Sequence, residues 1–277
     1  MARESTDDLR ARYTSNLNAA TRQAAQMLLL RPTVWRTLRV HVHGSSNVDA
    51  LEAPFVVFSN HSSHLDAPLI FGALPRRLSR FLATGAAADF FYDKWWKSGP
   101  MSLFFNGFPV DRGKERNRKG EKTETKRNVR GLSSALLDDG VPLLIFPEGT
   151  RSRNGAMGPF KPGVAALCIS RGVPALPIAL VGAYSAWPSS QKHLPRGRPE
   201  VHVVIGPPMR PLPGEIAHEF SERMRRQVIE LHDTTARAHG RKTLSEYAHT
   251  AALEQAAQSQ ISALADEARS RAQQEER

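Results

Sequence analysis

A histidine and an aspartate in one short polar segment are the first candidates for chemistry in this chain. Asp66 follows His61 by five residues, directly after the apolar run 55–58. Loops that leave a strand and enter a helix carry reactive groups in α/β proteins, so we expect both side chains at such a loop. A carboxylate beside an imidazole orients the ring and fixes its tautomer, which leaves the other nitrogen free to take a proton from a hydroxyl. The pair predicts a general base.

Other interpretations of this segment stay open at the level of the residues. Ser63-x-x-Asp66 matches a capping box, in which Asp66 only opens a helix and His61 is an ordinary loop residue. His61, His64 and Asp66 also make a partial ligand set, but no further ligand cluster accompanies them, so we expect no metal here. A serine hydrolase is disfavoured because the chain has no Gly-x-Ser-x-Gly elbow.

A second polar turn, 107–112 with the sequence Gly-Phe-Pro-Val-Asp-Arg, ends another short apolar segment. Arg112 would lie at the end of that strand, where a guanidinium can hold a phosphate through two parallel hydrogen bonds. The basic residues after it either extend the positive surface or form a solvated loop, as most charge runs do. We expect Arg112 itself to bind an anionic group.

A third turn, 146–152 with the sequence Phe-Pro-Glu-Gly-Thr-Arg-Ser, follows an apolar run. Gly149 would let the backbone approach a ligand, while Thr150 and Arg151 can donate hydrogen bonds to phosphate oxygens. Glu148 cannot bind a phosphate directly. We expect its carboxylate to accept a hydrogen bond from an alcohol, or to position the arginines.

The elements that must position these turns alternate along the chain. Helical patterns occupy 64–74, 121–137 and 162–170, and strands are predicted at 38–42, 55–59, 80–84, 108–111, 142–146, 175–181 and 201–205. Strands that alternate with helices predict an α/β fold, a single mixed, largely parallel sheet flanked by helices.

Both ends of the chain are predicted to be helical. An amphipathic helix is expected over 9–28, with Pro32 ending or kinking it, because apolar residues recur by threes and fours at Leu9, Tyr13, Leu17, Ala20, Ala24, Met27 and Leu28. It would cover the sheet, lie on a membrane, or do both. Helices are also predicted over 215–232 and 243–271, the latter outside the core. The predicted organisation is an N-terminal segment 1–37, an α/β domain 38–212 and a C-terminal helical extension 213–277.

Composition narrows the choice of partners. The 277 residues contain 38 Lys and Arg against 27 Asp and Glu, a net charge of +11, and 40% are hydrophobic, which excludes a disordered chain. Cys168 is the single cysteine, so no internal disulfide is expected and a reducing compartment is favoured. No apolar run reaches membrane-spanning length and no signal peptide is evident, so we expect a cytoplasmic protein. The charge implies an anionic membrane, a phosphorylated substrate or nucleic acid, but no nucleic-acid-binding motif is present.

Together, these segments resemble a known family, the glycerolipid acyltransferases, specifically the 1-acylglycerol-3-phosphate acyltransferase group. The resemblance rests on four motifs in order: His61 to Asp66, preceded by Asn60, then 107–112, 146–152 and 173–178. It extends over roughly 40–208. Pro109 stands where the family usually has an aliphatic residue, a departure that concerns the fit of the acceptor. The motif 173–178 either lines an acyl groove or is plain core.

The resemblance implies a glycerol-3-phosphate acyltransferase-like fold and transfer of a fatty acyl group to a hydroxyl of lysophosphatidic acid, forming phosphatidic acid. The donor would be a thioester of coenzyme A or acyl carrier protein, and no metal or other cofactor would be needed. The enzyme would work peripherally on the anionic inner face of the cell membrane. An acyltransferase for another acceptor, or a non-catalytic protein of membrane surfaces, stays open as an alternative. His61 would be the base and Asp66 its partner, with substrate bound by Asn60, Arg112, Glu148, Gly149, Thr150 and Arg151.

Overall fold

The computed structural model describes residues 6–87, 103–110, 131–191, 193 and 195–275. The strands in this part of the chain are β1 (Arg39–His43), β2 (Val56–Ser59), β3 (Ala83–Ala87), β4 (Phe108–Val110), β5 (Leu143–Ile145), β6 (Ala175–Val181) and β7 (Glu200–Ile205). They form one seven-stranded sheet in the order β1-β7-β6-β2-β5-β3-β4. Only β6 and β7 pair antiparallel; the other neighbours are parallel. The predicted mixed, largely parallel sheet is confirmed.

Every predicted strand is present, and one is displaced along the chain. The prediction placed the third strand at 80–84, whereas β3 begins at Ala83. The reason is the short helix Arg76–Ser79, because turn-like hydrogen bonds continue past its end and delay the start of the strand. Arg80 N–H donates to the carbonyl of Arg76 at 3.0 Å, and Leu82 N–H donates to that of Ser79 at 3.3 Å.

Helices cover both faces of the sheet, which explains why the central strands are continuous apolar runs. All residues of β2 and of β6 are buried. One face packs against the helices Leu132–Asp138, Gly163–Arg171 and Ala217–Ala238. The opposite face packs against the helices Arg31–Thr37, Asp66–Ala73, Arg76–Ser79 and Ala183–Ala186. The predicted helix 121–137 is seen only from Leu132, since 111–130 lie outside the described residues.

The N-terminal segment is helical beyond the predicted end. Helices Thr6–Thr14 and Asn16–Ala25 are followed by a π-helical turn, Gln26–Leu30, and then by the helix Arg31–Thr37. Of the two outcomes predicted at Pro32, an end or a kink, the end is wrong. Pro32 lies in the first turn of the last helix, where the missing N–H of proline costs little, and the wider π-helical turn precedes it.

The C-terminal extension consists of two helices with different surroundings. Helix Ala217–Ala238 buries Phe220, Met224 and Val228 in the same core cluster as residues of β6, so it completes the core. Helix Leu244–Glu275 starts with a buried Leu244 and then exposes Leu253 and Ile261. Only this second helix leaves the core, as its composition predicted.

Candidate functional site

Two of the polar turns of the sequence, 61–66 and 146–152, line a cavity of about 560 Å³ at the carboxyl ends of β2, β3 and β5. Parallel strands whose carboxyl ends meet at one edge create such a crevice. His61 follows β2 and Arg151 follows β5, and both side chains line the cavity. The topology therefore brings together residues that are far apart in the sequence.

His61 and Asp66 make the predicted contact. Nδ1 of His61 lies 2.7 Å from Oδ2 of Asp66, whose side chain is completely buried. The imidazole also stacks on the ring of Phe146, with 3.9 Å between centroids and 15° between planes. The Nδ1–H group of His61 donates to the carboxylate, so Nε2 keeps its lone pair. The His61 side chain lines the cavity. This is the arrangement of an oriented general base.

The helix that carries Asp66 begins later than the capping-box pattern indicated. It spans Asp66–Ala73, so Asp66 is its first residue instead of the end of its first turn. The hydroxyl of Ser63 donates to the carbonyl of Trp187 at 2.6 Å and accepts the backbone N–H of Leu65, the residue before the helix, at 3.1 Å. The Asp66 carboxylate accepts the backbone N–H groups of Ser62 and Ser63, at 2.7 and 2.9 Å. The same oxygen of Asp66 thus stabilises the loop conformation and orients the imidazole of His61.

Asn60 has a different role from the predicted one. Its side chain is buried, donates to the carbonyl of Leu180 at 3.0 Å and accepts the N–H of Leu180 at 2.9 Å. The amide continues the hydrogen bonding between β2 and β6 past the end of β2. Both of its polar atoms are thereby used, and it does not line the cavity, so Asn60 positions the neighbouring His61 and is not a substrate ligand.

Glu148 also positions the base. One carboxylate oxygen accepts the backbone N–H of His61 at 2.7 Å and the other accepts that of Gly158 at 2.8 Å. These bonds give Glu148 a role in holding the backbone that we did not predict, while its contact with an alcohol or with the arginines stays a prediction. Burial raises the pKa of Glu148 to about 7, against the opposite effect of the two backbone donors. The Glu148 carboxyl group therefore gains or loses its proton near neutral pH.

Arg151 lines the cavity and is held there by His64. Nη1 of Arg151 donates to Nδ1 of His64 at 2.7 Å, and Nε2–H of His64 donates to the carbonyl of Ser189 at 3.2 Å. Burial, followed by the positive charge of Arg151, lowers the pKa of His64. The nitrogens of His61 and His64 thus face different partners, Asp66 and Arg151.

The rest of the turn 146–152 gives the cavity a cationic side. Gly149 and Thr150 line it as predicted, and Gly149 has a φ of +73°, which favours glycine. Arg153 also lines the cavity, although we predicted no role for it; its position two residues after Arg151 was the available signal. Arg112, the other predicted phosphate ligand, lies outside the described residues.

Another part of the cavity lining is apolar. Ala67, Pro68, Phe105, Val110 and Ile145 line it. The motif 173–178, which we considered as an acyl groove, instead runs into β6 in the centre of the sheet and is core. A cavity with one cationic and one apolar side suits an amphiphile that carries an anionic head.

Comparisons with known proteins agree with this geometry. Residues 39–181 match the protein-family model described as Acyltransferase. The chain is 26% identical over 216 residues to the 1-acyl-sn-glycerol-3-phosphate acyltransferase alpha of Bos taurus, with 76% of this chain and 69% of the relative covered. The human protein of the same name is also 26% identical over 216 residues, with 76% and 70% covered.

A solved structure shares the fold. It is that of the 1-acyl-sn-glycerophosphate acyltransferase of Thermotoga maritima, with a TM-score of 0.54 and 22% sequence identity, covering 82% of this chain and 81% of that one. At this level of identity the likeness concerns the arrangement of helices and strands.

Proposed function

The chain belongs to the acyltransferase family, and from that premise we propose that it is an O-acyltransferase that acylates lysophosphatidic acid to form phosphatidic acid. The carrying observation is the contact of 2.7 Å between His61 and Asp66 at a cavity with a cationic and an apolar side. The acyltransferases of Bos taurus and Homo sapiens named above support this choice of acceptor.

In the proposed reaction His61 is the general base. Nε2 takes the proton of the acceptor hydroxyl as its oxygen attacks the thioester carbonyl carbon, and Asp66 stabilises the imidazolium that forms. The tetrahedral intermediate carries its negative charge on the former carbonyl oxygen. Its collapse breaks the C–S bond, restores the carbonyl and releases a thiolate, which takes the proton back from His61. The products are an ester and a free thiol, and no bond to the protein forms.

The cationic side would hold the acceptor phosphate. Arg151 and Thr150 can donate hydrogen bonds to its oxygens, Gly149 lets it approach the backbone, and Arg112 stays a proposed ligand from the sequence. A phosphate fixed there presents the acceptor hydroxyl to His61, while an acyl chain extends along Phe105, Val110 and Ile145. We propose that the donor is an acyl thioester of coenzyme A or acyl carrier protein, and that the reaction requires no metal or cofactor.

Membrane attachment is part of the proposal, because both the acceptor and the product are lipids. Within the described part of the chain, no helix is at once long and apolar enough to cross a bilayer. The N-terminal helical segment nevertheless exposes Leu17 by 77%, Met27 by 54%, Leu28 by 74% and Leu29 by 60%. These are aliphatic side chains that can enter the interfacial region of a bilayer, and the net charge of +11 adds attraction to anionic lipid.

The same segment also covers the protein, so both predicted roles of the helix are compatible. Tyr13, Ala19 and Arg22 are buried on its other side, and Arg22 donates to the side chain of Asn106 at 2.7 Å. We propose that the exposed side docks on the cytoplasmic face of the cell membrane while the buried side anchors it to the domain.

A thiol-release assay tests the proposed reaction. Purified protein is supplied with a long-chain acyl thioester and with lysophosphatidic acid, glycerol 3-phosphate or an unphosphorylated monoacylglycerol. We expect thiol release and ester formation with lysophosphatidic acid, and a loss of about 10²–10⁴-fold in His61→Ala. Preference for either of the other acceptors contradicts the assigned substrate. Near-normal turnover in folded His61→Ala contradicts the mechanism.

A further inference from the structure

Four histidines and one glutamate meet at the edge of the sheet opposite to β4. His41 and His43 lie on the edge strand β1, His202 lies on the adjacent β7, and His239 follows the helix Ala217–Ala238. The rings stack on one another: the centroids of His202 and His239 are 4.0 Å apart, and those of His43 and His202 are 5.3 Å apart. None of these residues takes part in the proposed acyl transfer.

Three of these rings can direct one nitrogen each to a common point. One ring nitrogen from each of His43, His202 and His239 lies within 4.8 Å of the other two. Nε2 of His43 and Nδ1 of His202 share a hydrogen bond at 3.1 Å, which an ion bound to both nitrogens would replace. Two nitrogens bound to one tetrahedral Zn²⁺ at 2.0–2.1 Å are separated by about 3.3 Å, so this pair has the spacing of two ligands.

The surroundings of His202 also fit a ligand. Its side chain is completely buried, and its Nε2 has no hydrogen-bond partner among the described residues. The nearest acidic oxygen, on Glu200, lies 3.9 Å from that atom. Metal-binding histidines commonly donate their second N–H to a carboxylate. Glu200 is held in place by Arg241 at 2.9 Å and by His41 at 2.9 Å.

We propose that His43, His202 and His239 bind one Zn²⁺ ion, with Glu200 as the carboxylate that orients His202. Imidazole ligands suit Zn²⁺ and its neighbours in the first transition row, and exclude the oxygen-seeking Mg²⁺ and Ca²⁺. His239 is exposed, which leaves an entry path and room for water as the fourth ligand.

The proposed ion would join the edge strand, its neighbour and the end of a core helix. It lies apart from His61, because β6 separates β7 from β2 in the sheet and each strand spacing is about 4.8 Å. We therefore assign it to binding and stability, not to acyl transfer. Its test needs no activity assay and stands independently of the proposed function.

Titration of tag-free, chelator-treated protein with Co²⁺ and Zn²⁺ tests the site. We expect one equivalent of Co²⁺ to bind with visible absorption, Zn²⁺ to displace it, and saturating Zn²⁺ to raise Tm by about 5–10 °C. His239→Gln should weaken binding by more than about 100-fold, since even the loss of a second partner costs 10–100-fold. Glu200→Gln should fall within that smaller range.

Two variants serve as controls. His218→Gln changes an exposed histidine on the same helix, about 32 Å along it from His239, and should bind like the wild type. His61→Ala should also bind normally, which separates this cluster from the catalytic histidine. Because His239 is exposed, its variant should fold even if one at His202 does not. Absence of a stoichiometric site at micromolar Zn²⁺, or equal binding by His239→Gln and His218→Gln, would overturn the proposal.

Discussion

Asp66→Asn separates the two tasks of the buried carboxylate. The amide is nearly isosteric, and its oxygen can occupy the Oδ2 position and accept from Ser62, Ser63 and His61 as before. Its NH₂ group then takes the place of Oδ1, which has no hydrogen-bond partner among the described residues. A buried donor without a partner costs about 1–3 kcal/mol, so the free energy of unfolding should fall by that amount while the loop keeps its conformation.

The catalytic loss should be larger, because the amide carries no charge. His61 becomes an imidazolium in the transition state, and the carboxylate contacts it at 2.7 Å between Nδ1 and Oδ2. With charge centres about 4 Å apart and an effective dielectric constant near 20, the interaction is worth about 4 kcal/mol. We expect kcat to fall by about 10²–10³-fold at saturating acceptor, measured as thiol release per folded molecule.

A second buried pair provides the matched control. Asp233 contacts Nδ1 of His232 at 3.0 Å and accepts the N–H of Leu244 at 2.7 Å, in the helical region away from the cavity. Asp233→Asn should lower stability by a similar amount and leave kcat unchanged. The reasoning is refuted if folded Asp66→Asn keeps more than a tenth of wild-type kcat, or if Asp233→Asn loses as much.

Three further predictions concern the surroundings of the base, and a fourth concerns membrane binding. Arg151→Ala should raise the apparent KM for the phosphorylated acceptor by about 10–150-fold, the loss of a charge-assisted bond, with the donor KM unchanged; a defect in the donor alone would reassign Arg151. His64→Ala should raise the acceptor KM only several-fold, because it removes the partner that holds Arg151. Glu148 has a folded-state pKa of about 7 against an ordinary value of 4.5, so its stabilising contribution is complete below pH 4.5 and lost as the pH rises through 7. Relative to Glu148→Gln, wild-type stability in urea should fall by about 3 kcal/mol over that interval, and parallel curves would contradict this. Leu28→Ser should weaken co-sedimentation with anionic vesicles about tenfold, unlike Leu253→Ser on the C-terminal helix, and binding should decrease with salt.

The local sequence predicted the side-chain contacts of the site that join residues close together in the chain. His61 and Asp66 are five residues apart, and their contact follows from a strand, a loop and a helix start. Asn60 and Glu148 were harder to interpret, because the partner of Asn60 is 120 residues away and Glu148 reaches back 87 residues to His61. A polar residue beside a catalytic motif is equally consistent with binding substrate and with holding the backbone until the tertiary neighbours are known.

The same limit explains the histidine cluster. His41 and His43 alternate on one strand, which places them on one face, but His202 and His239 reach them only through the pairing of β1 with β7 and the packing of a helix end. The spacing of apolar residues in the N-terminal segment correctly predicted a helical conformation. It did not indicate which side faces the domain: Tyr13 is buried, whereas Leu17 and Leu28 are exposed.

The turn after β5 holds both ends of the proposed reaction. Phe146 stacks on the ring of His61, Glu148 accepts its backbone N–H, and Ser152 N–H donates to its carbonyl at 2.7 Å. The base is thus fixed from three sides by a segment that also carries Arg151 and Thr150. A phosphate bound by that turn, as proposed, would keep a constant separation from the base that the same turn holds, which would align the acceptor hydroxyl with Nε2. Such preorganisation lowers the entropic cost of aligning the reactants.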